Sequence, residues 1–461
     1  EGEHAVFELG VHQGLGGGAI AVDGQGGQGS GVIFRSGYSG GIASGGGDIN
    51  LTGTGYVNGV ALIGFGYGNN RLDSTGGAVR IDGSSSGLDG SGVVLNSIQV
   101  LAGAGDIHVQ GLGPQAEGVR MSNDSRLQTT SGDIDLVSVG YNLGFALYGG
   151  QILTDTGNLS LHARGLGAYS DGLVIGQYAS LVSNGGTIDL AGEGGSGAGL
   201  RIDALASVDA GSGLVVLRAG NDGSSDAIRI DGSVRSTTGV NLRPGGVDAN
   251  GLAYDRVGDG ILLGSGNGFA LDDGELDRIA TPELVIGSNQ HAGAIQVQQA
   301  ITRAGNLTLQ NGGGSGGIAL QAGIDVGNAT LALLSGGSIT QSTTAAIVAH
   351  SLLAQAGGDV LLGAAQNDVA SSTLAGSAGG AFQFQDANGL AVGAVSAAGF
   401  DAGSGSLASL GNAGISAGGN VLVRNLAGDL ALNAGIGGAD IDLVTAGTLQ
   451  NLAGASLAAS G

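Results

Sequence analysis

Between Gly47 and Leu242 one short pattern keeps returning: a glycine, a spacer, and two aliphatic residues with a single residue between them. It stands as Gly47-Asp-Ile-Asn-Leu51, Gly105-Asp-Ile-His-Val109, Gly132-Asp-Ile-Asp-Leu136, Gly157-Asn-Leu-Ser-Leu161, Gly186-Thr-Ile-Asp-Leu190 and Gly213-Leu-Val-Val-Leu217. Gly77-Ala-Val-Arg-Ile81 is a further copy, and Gly239-Val-Asn-Leu242 fits one residue short. The leading aliphatics, Ile49, Val79, Ile107, Ile134, Leu159, Ile188, Val215 and Val240, lie 30, 28, 27, 25, 29, 27 and 25 residues apart, a period of about 27 with the slack of short loops. Such a period marks a repeat architecture, and it overrides the several globular domains that 461 residues would otherwise suggest.

Each unit carries two more apolar pieces. The second runs as Gly59-Val-Ala-Leu62, Gly92-Val-Val-Leu95, Gly118-Val-Arg-Met121, Gly144-Phe-Ala-Leu147, Gly172-Leu-Val-Ile175, Gly199-Leu-Arg-Ile202 and Ala227-Ile-Arg-Ile230. The third is centred on Leu72, Ile98, Leu127, Ile152, Leu181, Val208 and Val234, usually with Ser, Thr or Ala two residues on. Period-two alternation sends the flanking aliphatics to one face and the middle residue to the other. A unit this small cannot bury its apolar face alone, but units stacked in parallel at about 4.8 Å share one continuous core. The expected fold is therefore all-β, a parallel β-helix (β-solenoid) with three short strands per coil. Ile188 and Leu190 should point inward, packed on Leu159 and Leu161 on one side and Val215 and Leu217 on the other. The glycines at the strand starts should supply positive φ and close backbone approach.

Composition narrows what such a stack can do. With eight Phe, eight Tyr and no Trp, the core must be Val, Ile, Leu and Ala. All 15 basic residues are arginine, against 38 acidic residues, and the net charge of −23 repels nucleic acid and anionic membranes. The absence of cysteine excludes a disulfide framework, a thiol nucleophile and cysteine-ligated metal. No apolar run reaches the roughly 18 residues of a spanning helix, so membrane insertion is not expected.

Along the chain, residues 1–242 read as regular coils, with Ala5-Val-Phe-Glu-Leu9 as one strand of an incomplete coil before them. Residues 243–283 read as an irregular insertion whose one helical turn opens with a capping-box spacing, Asp272 to Glu275, puts Leu276 and Ile279 on one face, and ends at Pro282. Residues 284–461, from Leu284-Val-Ile286 to Ile441-Asp-Leu443, read as continued coils that are smaller or less regular. The start Glu1-Gly-Glu-His4 lacks Met, so either processing has removed the start or the chain is an internal fragment, and Ala459-Ser-Gly461 offers no cap, so more protein is expected to follow.

Candidate chemistry is sparse. Glycoside cleavage needs two carboxylates about 5 to 10 Å apart; Asp135 and Asp189 occupy equivalent outward positions, but Ser160 stands between them. The acidic group Asp272, Asp273, Glu275 and Asp277 reads as a solvated face. His4, His12, His108, His162, His291 and His350 show no metal-ligand spacing, and His108 reads as a solvated outward residue. Gly220-Asn-Asp-Gly-Ser-Ser-Asp226 is the nearest approach to a calcium loop, without its final bidentate Glu. Sequons begin at Asn50, Asn123, Asn158, Asn306 and Asn328, and several fall inside strand patterns, where Asn-Leu-Ser and Asn-Leu-Thr arise naturally from alternation. Arg201 and Arg229 should stack on adjacent coils with Asp203 and Asp231 close enough to offset them. No catalytic residue, metal ligand or cofactor is therefore assigned.

The Gly-Asp-Ile-x-Leu pieces, the segment Leu271-Asp-Asp-Gly-Glu-Leu-Asp-Arg-Ile279 leading into Leu284-Val-Ile-Gly287, and Phe382-Gln-Phe-Gln-Asp-Ala-Asn-Gly-Leu-Ala-Val-Gly-Ala-Val395 together resemble filamentous haemagglutinin-like exoproteins of Gram-negative bacteria. The resemblance implies a right-handed parallel β-helix, export by two-partner secretion through an outer-membrane partner, and a secreted or cell-surface location. It also implies roles in attachment, biofilm or cell-cell contact, with a host-cell, glycan or neighbouring-cell surface as partner. The Asn-Pro-Asn motif of that family's secretion domain is missing, so the chain corresponds to the shaft. The function expected is a non-enzymatic fibre segment of an adhesin, with a carbohydrate-active β-helix enzyme or a purely structural surface-layer or spacer protein as alternatives.

Overall fold

The computed structural model describes residues 5–7, 12–13, 17–36, 40–65, 70–369, 373–452 and 454–461. Two compact units form: Glu1–Thr238 with Gly245–Asp255 and Arg278–Ala280, and Gly239–Pro244 with Arg256–Asp277 and Thr281–Gly461. The stretch 243–283 is thus divided between them.

The first unit is a parallel β-helix with three strands per coil. Its first sheet runs through Ile20–Gly26, Ile49–Gly55, Val79–Ser85, Ile107–Gly113, Ile134–Gly140, Leu159–Gly165, Ile188–Glu193 and Leu214–Gly220, each paired in parallel with the next. Ile188 pairs with Leu159 and Val215, Leu190 with Leu161 and Leu217, and all six are fully buried, as the alternation requires. The second sheet begins at Ala5–Phe7, paired with Val32–Phe34, and continues to Ile228–Ile230. In the third sheet the inward column reads Leu72, Val100, Leu127, Ile152, Leu181, Val208 and Val234. Val100 takes the position expected of Ile98, which is buried just ahead of its strand Gln99–Gly103.

Glycine serves space more than torsion at the strand starts. A Cβ at Gly186 would stand 1.9 Å from the carbonyl oxygen of Gly157, and none of Gly47, Gly105, Gly132, Gly157, Gly186 and Gly213 has positive φ. Left-handed backbone falls instead at corners such as Gly46, Gly76 and Gly149. Where the first and second sheets converge, Gly53 and Gly83 leave room for the facing strand, and Ser138 replaces them by donating its hydroxyl to the carbonyl of Gly144 at 2.6 Å.

The polar residues of the repeat are structural. The residue after the strand-start glycine reaches to the next coil: Asp48 accepts from the Ala78 N–H at 2.9 Å, Asp106 from Asp133 at 2.8 Å, Asp133 from Asn158 at 2.7 Å and Asn158 from Thr187 at 2.9 Å. The small hydroxyls after the third strands are buried and donate to strand-start carbonyls, Thr129 to Gly132 at 2.6 Å, Ser183 to Gly157 at 2.9 Å and Ser236 to Gly213 at 2.7 Å. Each of these hydroxyl bonds satisfies a buried carbonyl at the corner between coils.

The second unit repeats the scheme in shorter coils. Its main sheet is in register at Leu284, Leu307, Leu331, Leu352 and Leu374, steps of 23, 24, 21 and 22 residues. The helix Asp273–Leu276 carries the expected capping box between Asp272 and Glu275. Each unit also has an antiparallel hairpin that folds onto the outward face of its own main sheet. In the first unit Gly245–Val247 pairs with Ala253–Asp255. Arg164 donates to the Val247 carbonyl at 3.0 Å, and Tyr254 to Glu193 at 3.3 Å. In the second unit Ala394–Asp401 pairs with Ser406–Ala413. Val395, Ala397 and Leu410 cover Ala332, Leu334, Leu353 and Ala375, while Thr308 donates to Ala398 and Gln310 accepts from the Phe400 N–H, both at 2.7 Å. The Arg243 guanidinium lies 4.6 Å over the Phe400 ring.

Candidate functional site

Outward positions of the first unit's main sheet form two rows, Asn50, Arg80, His108, Asp135, Ser160, Asp189 and Val216, and two residues on, Thr52, Asp82, Gln110, Val137, His162, Ala191 and Arg218. The side chains link from coil to coil. Arg80 lies 2.6 Å from Asp82, His108 2.9 Å from Asp135 and 3.9 Å from Asp82, His162 3.6 Å from Asp189, and Arg218 2.5 Å from Asp189 and 4.0 Å from Asp255. His108 is therefore engaged, contrary to its reading as a merely solvated residue, because register sets it one strand spacing from a carboxylate. Val216 is only 5% exposed.

This row holds charge but is poorly built to move protons. The hydrogen bond from His108 keeps the Asp135 carboxyl below its usual range. Burial pushes Asp189 up, but His162 and Arg218 more than reverse that and leave it at about 2. A general acid needs the opposite shift. Asp135 and Asp189 pair with Ser160 on its two sides, so two strand spacings separate them. Ser160 and Asp189 both face Nε2 of His162, at 3.4 and 3.6 Å, so no proton can pass through the ring from one to the other as in a hydrolase triad.

Depression of the Asp189 pKa makes stability that is complete above the unfolded carboxylate value near 4 and is lost as pH falls toward 2. Asp189→Asn should therefore cost about 1–2 kcal/mol at pH 6 and little at pH 2, read as urea midpoints of parent and variant across that range. In the second unit Asp386 behaves oppositely. It is fully buried and accepts the N–H groups of Val369 at 2.9 Å and Asn388 at 3.1 Å, yet burial pushes it up to about 6. A raised carboxyl penalises folding above pH 6, and the penalty lifts as pH falls from about 6 to about 4. Amide exchange around Val369 and Asn388 should slow by up to about tenfold over that interval after correction for intrinsic rates; unchanged protection would count against the shift.

Arg201 and Arg229 pair across adjacent coils with their guanidinium groups outward, Arg201 at 2.9 Å from Asp203 and Arg229 at 2.7 Å from Asp231. Arg201 also reaches back to Asp171 at 2.6 Å, a partner the spacing alone did not reveal. The Gly220–Asp226 loop is held within itself and to the preceding coil: Asn221 donates to the Ser225 and Gly197 carbonyls, and Asp222 accepts from Ser224. The acidic helical turn does more than face solvent, since Asp272 caps it and Asp273 accepts from the Thr302 N–H at 2.8 Å. His291 is buried and His350 exposed, whereas His4 and the His12 side chain lie outside the described residues. Among the described residues no group of three His, Asp or Glu could hold a metal ion, and no helix is long and apolar enough to cross a membrane. Of the sequons, Asn158 and Asn306 are hydrogen-bonded to Asp133 and Glu283, and Asn123 to Asn96.

One cleft of about 450 Å³ opens in the second unit beside its hairpin, lined by Glu283, Asn306 and Thr330 at the starts of main-sheet strands and by Leu407, Ala408 and Ser409 of the hairpin. Compared with family models, with curated proteins and with solved structures, the chain matches none.

Proposed function

We propose that this chain is a non-enzymatic fibre segment of a secreted or cell-surface bacterial adhesin, serving attachment, biofilm or cell-cell contact. The observation that carries the reading is the outward row of the first unit. Its ionisable groups form two linked sets, Arg80, Asp82, His108 and Asp135, and His162, Asp189 and Arg218, each joining neighbouring coils, so the chemistry on that face holds the stack together. The likeness to filamentous haemagglutinin-like exoproteins supports the same reading and brings with it export through an outer-membrane partner. With a net charge of −23, nucleic acid is a poor partner. Because the outward residues change type from coil to coil, adhesion is weak per site and gains strength through many copies.

Beads coated densely with the purified chain should adhere to epithelial or bacterial cells at least about a hundredfold better than soluble chain binds them. Equal binding by soluble chain at nanomolar concentration would replace this surface reading with a single high-affinity site. Coated beads that adhere no better than albumin-coated ones would remove adhesion from this segment.

A further inference from the structure

The hairpin of the second unit leaves a strand edge open. Ser406–Ala413 is eight residues long, and among the described residues it pairs only with Ala394–Asp401. Exposed edges are usually guarded by charge, proline, a bulge or brevity. Here the sequence is Ser-Leu-Ala-Ser-Leu-Gly-Asn-Ala, with no charged residue and no proline. The same strand forms one wall of the cleft through Leu407, Ala408 and Ser409. Opposite it stand Glu283, Asn306 and Thr330, and Glu283 is the one charged residue of the lining. Asn306 donates to Oε1 of Glu283 at 2.7 Å and accepts the Thr330 N–H at 2.9 Å, which holds the carboxylate in place.

We propose that this edge and its cleft bind an extended peptide as a third strand of the hairpin, with a lysine or arginine of the peptide reaching Glu283. A free strand edge presents N–H and C=O groups in alternation, the complement of another extended backbone. Alternate side chains of an added strand point to one face, so every second residue of the peptide can enter the cleft. Glu283 selects the charge, and the net charge of −23 draws a cationic segment toward the chain. A second copy of this chain is a poorer occupant, since its own edge strand brings no cation.

The test is fluorescence anisotropy with three labelled octapeptides: alternating threonine and lysine, alternating threonine and glutamate, and the threonine-lysine peptide with every second amide N-methylated. The expected result is saturable binding of the first only, weakened about three- to tenfold by Glu283→Gln. Binding that survives N-methylation would show charge attraction without strand pairing and overturn the proposal. So would affinity indifferent to Glu283→Gln, or no binding up to about millimolar peptide. Self-association of the chain that the peptide does not displace would assign the edge to a second copy, and equally overturn it.

Discussion

Replacing Ile188 with aspartate should destabilise the first unit by about 4 kcal/mol or more. The side chain is wholly buried, with Leu159 and Val215 in register on either side, and no cation lies in the inward column to receive a carboxylate. The new group would either ionise without a partner or fold protonated, and both routes cost stability while the lost aliphatic contacts add to the deficit. Because coils depend on their neighbours, protection against amide exchange should fall first in Leu159–Gly165, Ile188–Glu193 and Leu214–Gly220. A variant that melts and exchanges like the parent would mean that Ile188 does not face the core.

Gly186→Ala should cost about 3 kcal/mol or more, although it adds a single methyl group. That carbon would stand 1.9 Å from one backbone atom of Gly157 and 2.4 Å from another, and two coils would have to part to admit it. Gly149→Ala is the matched contrast. Gly149 has φ of 63° and nothing within 4 Å of a Cβ, so alanine there meets torsional strain alone, about 1 kcal/mol. Urea denaturation of the pair separates glycine kept for space from glycine kept for torsion, and equal losses would contradict the close stacking of strand starts.

The coils were legible because aliphatic alternation and period are properties of the chain itself, and so Ile188, Leu190 and the Asp272 to Glu275 capping box stand where the spacing puts them. Partners one coil away were harder to read. Arg218 meets Asp189 and Arg201 meets Asp171 across 29 and 30 residues, a match that depends on loop lengths in between. The hairpins were missed because their strands pair locally and antiparallel, outside the coil period. Their signals were present as the turns Asp248-Ala-Asn-Gly251 and Asp401-Ala-Gly-Ser-Gly405, each between short apolar runs. The cleft depends on where the second hairpin lies across five strands of another sheet, and no local pattern carries that.

We propose that the carboxylates on the outward face bind neighbouring coils and do not turn over a substrate. The direct measurement is release of reducing ends from a panel of acidic and neutral polysaccharides incubated with the purified chain, alongside Asp135→Asn and Asp189→Asn. No release above a heat-denatured control is expected for the parent or either variant. Release by the parent that a single one of these substitutions abolishes, with the fold intact by circular dichroism, would contradict it and make the chain an enzyme.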